Sequence, residues 1–300
     1  MDIKNLFTGF SNRTYIVGII LGIIAYVFIA ETFLRIYVIP NDELSQVAVS
    51  VYESEKRDVI IGDSQFKFGF PEDYSLFEGL SFNGMPVETM GIILKEYYRH
   101  RRPNKVIIIA APQMLAENRV ERGDLGFKEY FKFNAVKLPF MIYAFEKLVS
   151  RNLADFFKWI HYKPEQQFKE NMWEETAEEK RTEMTLKRIE TQRPVKNFQE
   201  TRNFKSYYQL LTLLKDKNAK ICLLKMPVAD EYRELVRNDK DFLEAETAFK
   251  EMAAAYNVKY VDLGQIPVTN DASLYINSDH LNEKGRRLFA PLVEKYCFDQ

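Results

Sequence analysis

Two side chains in this sequence have the chemical types and the settings of a nucleophile and its base. Ser64 stands in VIIGDSQFKFGF, Val59 to Phe70, where an apolar run stops at Gly62 and gives way at once to an acid, a hydroxyl and an amide. His280 stands in YINSDHLNEKG, after the last strand-like run and just before the last helix-like one. A serine hydroxyl becomes a useful nucleophile when a neighbouring base takes its proton, and imidazole does this best near neutral pH. A serine ending the first strand and a histidine on the last loop would meet at the carboxyl edge of an α/β sheet, where such folds place their sites. Taken alone, the Gly62-Asp63-Ser64 triplet reads first as an ordinary strand-to-loop turn. The other two histidines have plainer surroundings: His100 lies at a basic helix end, YRHRRP, and His161 among aromatics in WIHYKP.

The elements that must carry these residues alternate. RDVIIGDS reads as a first strand, PVETMGIILKEYYRHRR as an amphipathic helix with its basic residues at the C-terminal end, and NKVIIIAAP as a buried strand stopped by Pro112. Further on come NFKSYYQLLTLLKDKNAK (helix), ICLLKMPV (strand), KDFLEAETAFKEMAAAYN (helix), VKYVDL (strand) and NEKGRRLFAPLVEKY, a final helix with Asn282 as its cap. This order predicts an α/β fold, a doubly wound parallel sheet between two helical layers. The alternation lapses from about 120 to 201, where an aromatic-rich stretch and a densely charged one predict a helical insertion. It reads as a packed face and a solvated face, or alternatively as a lid or a docking surface for a membrane partner.

A net charge of −1 over 300 residues offers no basic footprint for nucleic acid. The two cysteines, Cys222 and Cys297, lack metal-binding spacing and are expected as free, buried thiols; no metal or other cofactor is expected. One segment departs from the pattern of a soluble domain. Thr14 to Ala30 carries no charge, spans roughly 26 Å as a helix, and can continue to residue 39 before Pro40. It is longer than a signal-peptide core and lacks a small-x-small cleavage site. With Lys4 and Arg13 before it, the positive-inside rule puts the N-terminus in the cytoplasm and the rest outside it, on the periplasmic or extracellular face. The expected organisation is a cytoplasmic N-terminus (1–13), a single transmembrane anchor in the lipid bilayer (14–39), a linker (40–57) and one α/β domain (58–300).

These motifs together resemble the SGNH, or GDSL-like, hydrolase superfamily, over roughly Asp58 to Tyr296 apart from the insertion. Gly62-Asp63-Ser64 matches the nucleophile block, and SFNGMPVET looks like the second block, in which Gly84 would supply an oxyanion-hole N–H and Asn83 a nearby amide. IIIAAPQM occupies the place of the third, with Gln113 where the family has the Asn whose side-chain amide donates to the oxyanion. NSDHLN looks like the last block, with Asn277 where the family has the Asp that orients the histidine, and Asp279 beside His280 as a substitute. LLKMPVADEYREL and DHLNEKGRRLF are similar to membrane-anchored members related to alginate O-acetylation and D-alanyl transfer proteins, which work beside multi-pass O-acyltransferases. The resemblance implies a serine esterase or O-acyltransferase acting on a cell-surface or exported polysaccharide. An amide at the orienting position costs about 10⁴ in rate in the serine-protease example. The second reading is therefore a catalytically weakened partner that binds glycan and docks on a membrane O-acyltransferase.

Overall fold

The computed structural model describes residues 12–33, 36, 43–71, 73–74, 76–121, 123, 131 and 172–299. In chain order these form α1 (Asn12–Phe33), α2 (Glu43–Glu53), β1 (Val59–Gly62), α3 (Ser64–Lys67), β2 (Glu78–Ser81), α4 (Val87–His100), β3 (Lys105–Ile109), α5 (Glu117–Val120), α6 (Met172–Glu175) and α7 (Glu178–Gln192). There follow α8 (Arg202–Asp216), β4 (Lys220–Lys225), α9 (Asp230–Val236), α10 (Lys240–Tyr256), β5 (Lys259–Asp262), β6 (Tyr275–Asn277), β7 (His280–Leu281) and α11 (Glu283–Phe298), with short 3₁₀ turns between them.

Five strands make one parallel sheet in the order β2-β1-β3-β4-β5. This is the doubly wound order whose switch point falls beside β1, between β1 and β3. Consecutive residues of β1, β3 and β4 are buried regardless of the side they face, so both faces of the sheet are covered. Helix α4 packs against α8, and α11 lies on β4 and β5. The amphipathic pattern of α4 accounts for its placement, since Val87, Met90, Ile93, Leu94 and Tyr97 are all buried along one side. A separate two-stranded antiparallel hairpin, β6 and β7, follows the sheet and carries Asn277 and His280.

Several elements differ from the sequence expectation. Strand β2 carries no apolar run: it is a four-residue edge strand, Glu-Gly-Leu-Ser, with only Leu80 buried, so it needs little hydrophobic surface. The segment expected as a linker holds α2, where Val47, Ala48 and Val51 are buried. Arg101 fastens the end of α2 by donating to the Val51 and Tyr52 carbonyls at 2.5 and 2.9 Å. The two thiols are a correction: Cys222 of β4 and Cys297 of α11 are joined in a disulfide, with Cα atoms 5.5 Å apart. The final helix returns to lie on β4, and a spacing of 75 residues gives no hint of that return.

Helix α1 extends over 22 residues, and its described side chains from Tyr15 to Ile29 include eleven exposed aliphatic and aromatic groups besides Tyr15 itself. Among the described residues no helix is long and apolar enough to cross a membrane; Tyr15 to Ile29 alone covers roughly 22 Å at 1.5 Å per residue. Residues 132–171, the larger part of the expected insertion, and residues 1–11 lie outside the described residues.

Candidate active site

Ser64 owes its position to the way β1 ends. Gly62 lets the Phe66 ring close onto the strand: a Cβ at Gly62 would meet that ring at 2.7 Å. Asp63 then caps α3 by accepting the Gln65 backbone N–H at 3.0 Å. The chain turns within one residue, and the Ser64 side chain emerges at the carboxyl end of β1.

The loop carrying His280 is pinned from both sides. Asn282 caps α11 by accepting the Gly285 N–H at 3.0 Å, and its own amide donates to the Ser273 carbonyl at 2.7 Å. The Tyr275 hydroxyl lies 3.1 and 3.0 Å from the Val228 and Thr269 carbonyls, and Ala229 N–H donates to the Ser278 carbonyl at 2.9 Å. With the hairpin held, His280 Nε2 lies 2.9 Å from Ser64 Oγ across 216 residues of sequence.

The second imidazole nitrogen fixes the tautomer. Nδ1 lies 3.0 Å from Asn277 Oδ1, and the backbone N–H of Asp279 donates to the same oxygen at 3.1 Å. An oxygen that already accepts one N–H accepts the second from Nδ1–H, which leaves Nε2 bare for the Ser64 hydroxyl proton. Asn277 therefore does the orienting part of an aspartate's work without its charge. A charge does stand close by: Asp279 Oδ1 is 3.4 Å from Nδ1. That carboxylate is otherwise engaged, taking Arg188 Nε and Nη2 at 2.8 to 3.1 Å and the Gln192 amide at 2.7 Å, both from α7. Burial alone would raise the Asp279 pKa, but His280 and Arg188 outweigh it and hold the carboxyl below its ordinary value. Burial pushes His280 the other way, below its usual value; Asp279 opposes that shift and Arg188 assists it. The histidine is held neutral, the form a general base requires.

Ser64 and His280 open into a cleft of about 290 Å³ lined also by Phe68, Asn83, Gly84, Arg119, Arg188, Ile276 and Asn277. Gly84 has φ = 69°, a left-handed conformation that favours glycine, in the turn following β2. Asn83 and Gly84 thus line the same cleft as Ser64 and His280. Gln113 does not: its amide donates to Gln65 Oε1 at 2.5 Å, and Gln65 in turn donates to the Asp279 carbonyl at 3.3 Å. Gln113 braces the histidine loop through Gln65 and lines a neighbouring cavity of about 400 Å³ instead. The extra methylene of Gln over Asn lets it reach Gln65.

Sequence reasoning missed both arginines. Arg119, on the short α5, is 8% exposed and pairs with Asp63 through Nη1; Arg188 lies in the charged stretch read as a solvated face. Their only sequence signal is charge, which does not distinguish them from the other 40 basic residues among the Lys+Arg total of 42. Among the described residues there is no cluster of three or more His, Cys, Asp or Glu side chains able to hold a metal ion.

No family model matches the chain, and no curated protein matches it. Among solved structures, it is similar to a protein provisionally assigned as an acylhydrolase from Bacteroides fragilis NCTC 9343, at 14% identity and a TM-score of 0.44, covering 84% of this chain and 92% of that one. It is also similar to a protein provisionally described as a platelet activating factor from Streptococcus pneumonia, at 13% identity and a TM-score of 0.42, covering 90% and 99%. Likeness at this level carries no argument about activity, and the functional reading rests on the site itself.

Proposed function

We propose that the protein is a serine esterase or O-acyltransferase of the SGNH type. The observation that carries this reading is the Ser64 Oγ to His280 Nε2 distance of 2.9 Å with Nδ1 facing an acceptor, inside an open cleft. Ser64 Oγ attacks the acyl carbon as its proton passes to His280 Nε2, and the carbonyl π pair moves onto oxygen. The carbon–oxygen bond to the leaving alcohol then breaks, Nε2 returns the proton to that alcohol, and an acyl-serine remains. A second hydroxyl, from water or from a sugar, reverses the sequence and frees Ser64. In the resemblance, Asn83 and the N–H groups of Ser64 and Gly84 stabilise the oxyanion.

The same reading takes the substrate to be an acylated cell-surface or exported polysaccharide, the partner a multi-pass membrane O-acyltransferase, and the location the outer face of the cytoplasmic membrane. The row of exposed apolar side chains on α1 supports an anchor. A buried disulfide supports an oxidising compartment, since such bonds rarely persist in a reducing cytosol. A second reading, a weakened binding partner, is favoured by one observation: the residue on Nδ1 is an amide, and the nearby carboxylate is shared with Arg188. The test is a fluorophosphonate probe on the full-length chain in detergent, followed by peptide mapping. Covalent labelling at Ser64 that disappears in Ser64→Ala supports the enzyme. An unlabelled parent chain leaves the binding partner.

A further inference from the structure

The Asn277 amide leaves the positive end of the transition state only the Asp279 carboxylate, shared with Arg188, as counter-charge, and the cleft holds an unassigned cation at the other end. Arg119 commits only one nitrogen, Nη1, which donates to Asp63 Oδ2 and lies 3.2 Å from Met114 Sδ. Nε and Nη2 have no partner among the described residues. They are also absent from the buried polar atoms left unsatisfied, which are Ser81 Oγ, Trp173 Nε1 and Tyr260 OH. Polar atoms that are neither bonded nor sealed off face solvent, and the solvent Arg119 reaches is that of the Ser64 cleft, which it lines. Its anchor Asp63 is wholly buried and immediately precedes the nucleophile, so the guanidinium is tied to the residue beside Ser64. Among the described residues no carboxylate lines the cleft.

We propose that Arg119 is a catalytic residue: it donates to the oxyanion formed when Ser64 attacks the acyl carbon, in the role for which the sequence offered Gln113. This inference rests on the esterase or acyltransferase reading. A conventional triad places a fixed charge beside the imidazolium. Here a fixed charge separate from Asp279 serves the oxyanion, which a guanidinium meets with charge-assisted hydrogen bonds about twice as strong as those of a neutral amide. The His280 ring lies within the field of Arg119, which disfavours imidazolium. That is the cost of such an arrangement, and the oxyanion recovers it because it forms in the same step. Arg119 makes no bond to the substrate's leaving group, and the proton path through Nε2 is unchanged.

The test uses the full-length chain in detergent, with a small neutral acetyl ester for turnover and the fluorophosphonate probe for the rate of covalent attack. Asp63→Asn with Arg119→Met removes the buried pair together, so that no lone carboxylate is left inside; Arg119→Lys is the conservative second variant. The double variant is expected to lose about 10²–10³ in kcat with KM within threefold, and to lose probe reactivity in parallel. Arg119→Lys is expected to recover at least tenfold of both. If the parent is labelled at Ser64 and both variants keep kcat and probe reactivity within threefold, Arg119 has no catalytic role and this inference alone falls. A loss seen in KM only, or one that Arg119→Lys fails to recover at all, also overturns it, since a packing role predicts those results. If the parent itself shows neither labelling nor Ser64-dependent turnover, the esterase reading falls and takes this inference with it.

Discussion

Replacing Asn277 by Asp tests how the site handles the charge on its histidine. The side chain is already placed, with Oδ1 at 3.0 Å from Nδ1, so the substitution adds a charge with little rearrangement. Opposite unit charges about 4 Å apart are worth roughly 4 kcal/mol at an effective dielectric constant near 20, or about 10³ in rate. Two features of the structure reduce that gain. The Asp279 carboxylate, 3.4 Å from Nδ1, already supplies part of the stabilisation. A carboxylate at 277 would also lie close to that of Asp279, whose backbone N–H it must still accept. A net gain of about 1.5–3 kcal/mol remains, equivalent to a 10- to 100-fold rise in kcat/KM, together with an upward shift of the histidine pKa. The sign follows directly: a stabilised imidazolium means that the neutral base, and with it activity, is lost at a higher pH as the solution is acidified. The assay is turnover of an activated acetyl ester between pH 4 and 9, with circular dichroism to verify folding. A folded Asn277→Asp protein whose rate and acid limb both match the parent would refute the reasoning, because the charge would then be unseen by the imidazole.

Three further expectations follow from other parts of the molecule. In the parent, the acid limb of kcat/KM should lie below the ordinary histidine value of 6.5, and Arg188→Gln should move it upward by removing a cation and freeing Asp279; a limb that stays put or falls counts against this. Reducing the Cys222–Cys297 disulfide, or replacing both by Ser, should lower stability by roughly 4 kcal/mol, from the chain-entropy cost of a loop of 75 residues, read as a shift in urea midpoint; identical midpoints with and without reductant would contradict it. A reporter fused after Gln300 should be active only when the reporter type requires export, and cytoplasmic activity there would reverse the proposed orientation.

What was legible in the sequence is what local pattern encodes. The buried runs of β1, β3 and β4 and the apolar stripe of α4 announce the α/β fold, and Asn282 before α11 is read directly as a cap. Ser64 and His280 stood out because each follows a strand-like run; β1 and β5 are not neighbours in the sheet, and it is the separate β6–β7 hairpin that carries His280 to Ser64. Edge strand β2 was invisible because an edge needs little apolar surface. The pairing of Cys222 with Cys297, the diversion of Gln113 to Gln65, and the capture of Asp279 by Arg188 are tertiary events. Each depends on which helix returns to which strand, and no spacing along the chain expresses that.

Arg188 and Gln192, both on α7, grip Asp279 beside the histidine, and this sets a practical boundary for anyone wishing to shorten the protein. Residues 132–171 lie outside the described residues, whereas α7 belongs to the sheet-bearing unit. A deletion that continues past Glu178 would strip a buried carboxylate of its guanidinium and amide and leave it unbalanced next to the base. A trimmed version must therefore rejoin the chain upstream of Glu178, so that α7 stays in place on Asp279 beside the histidine.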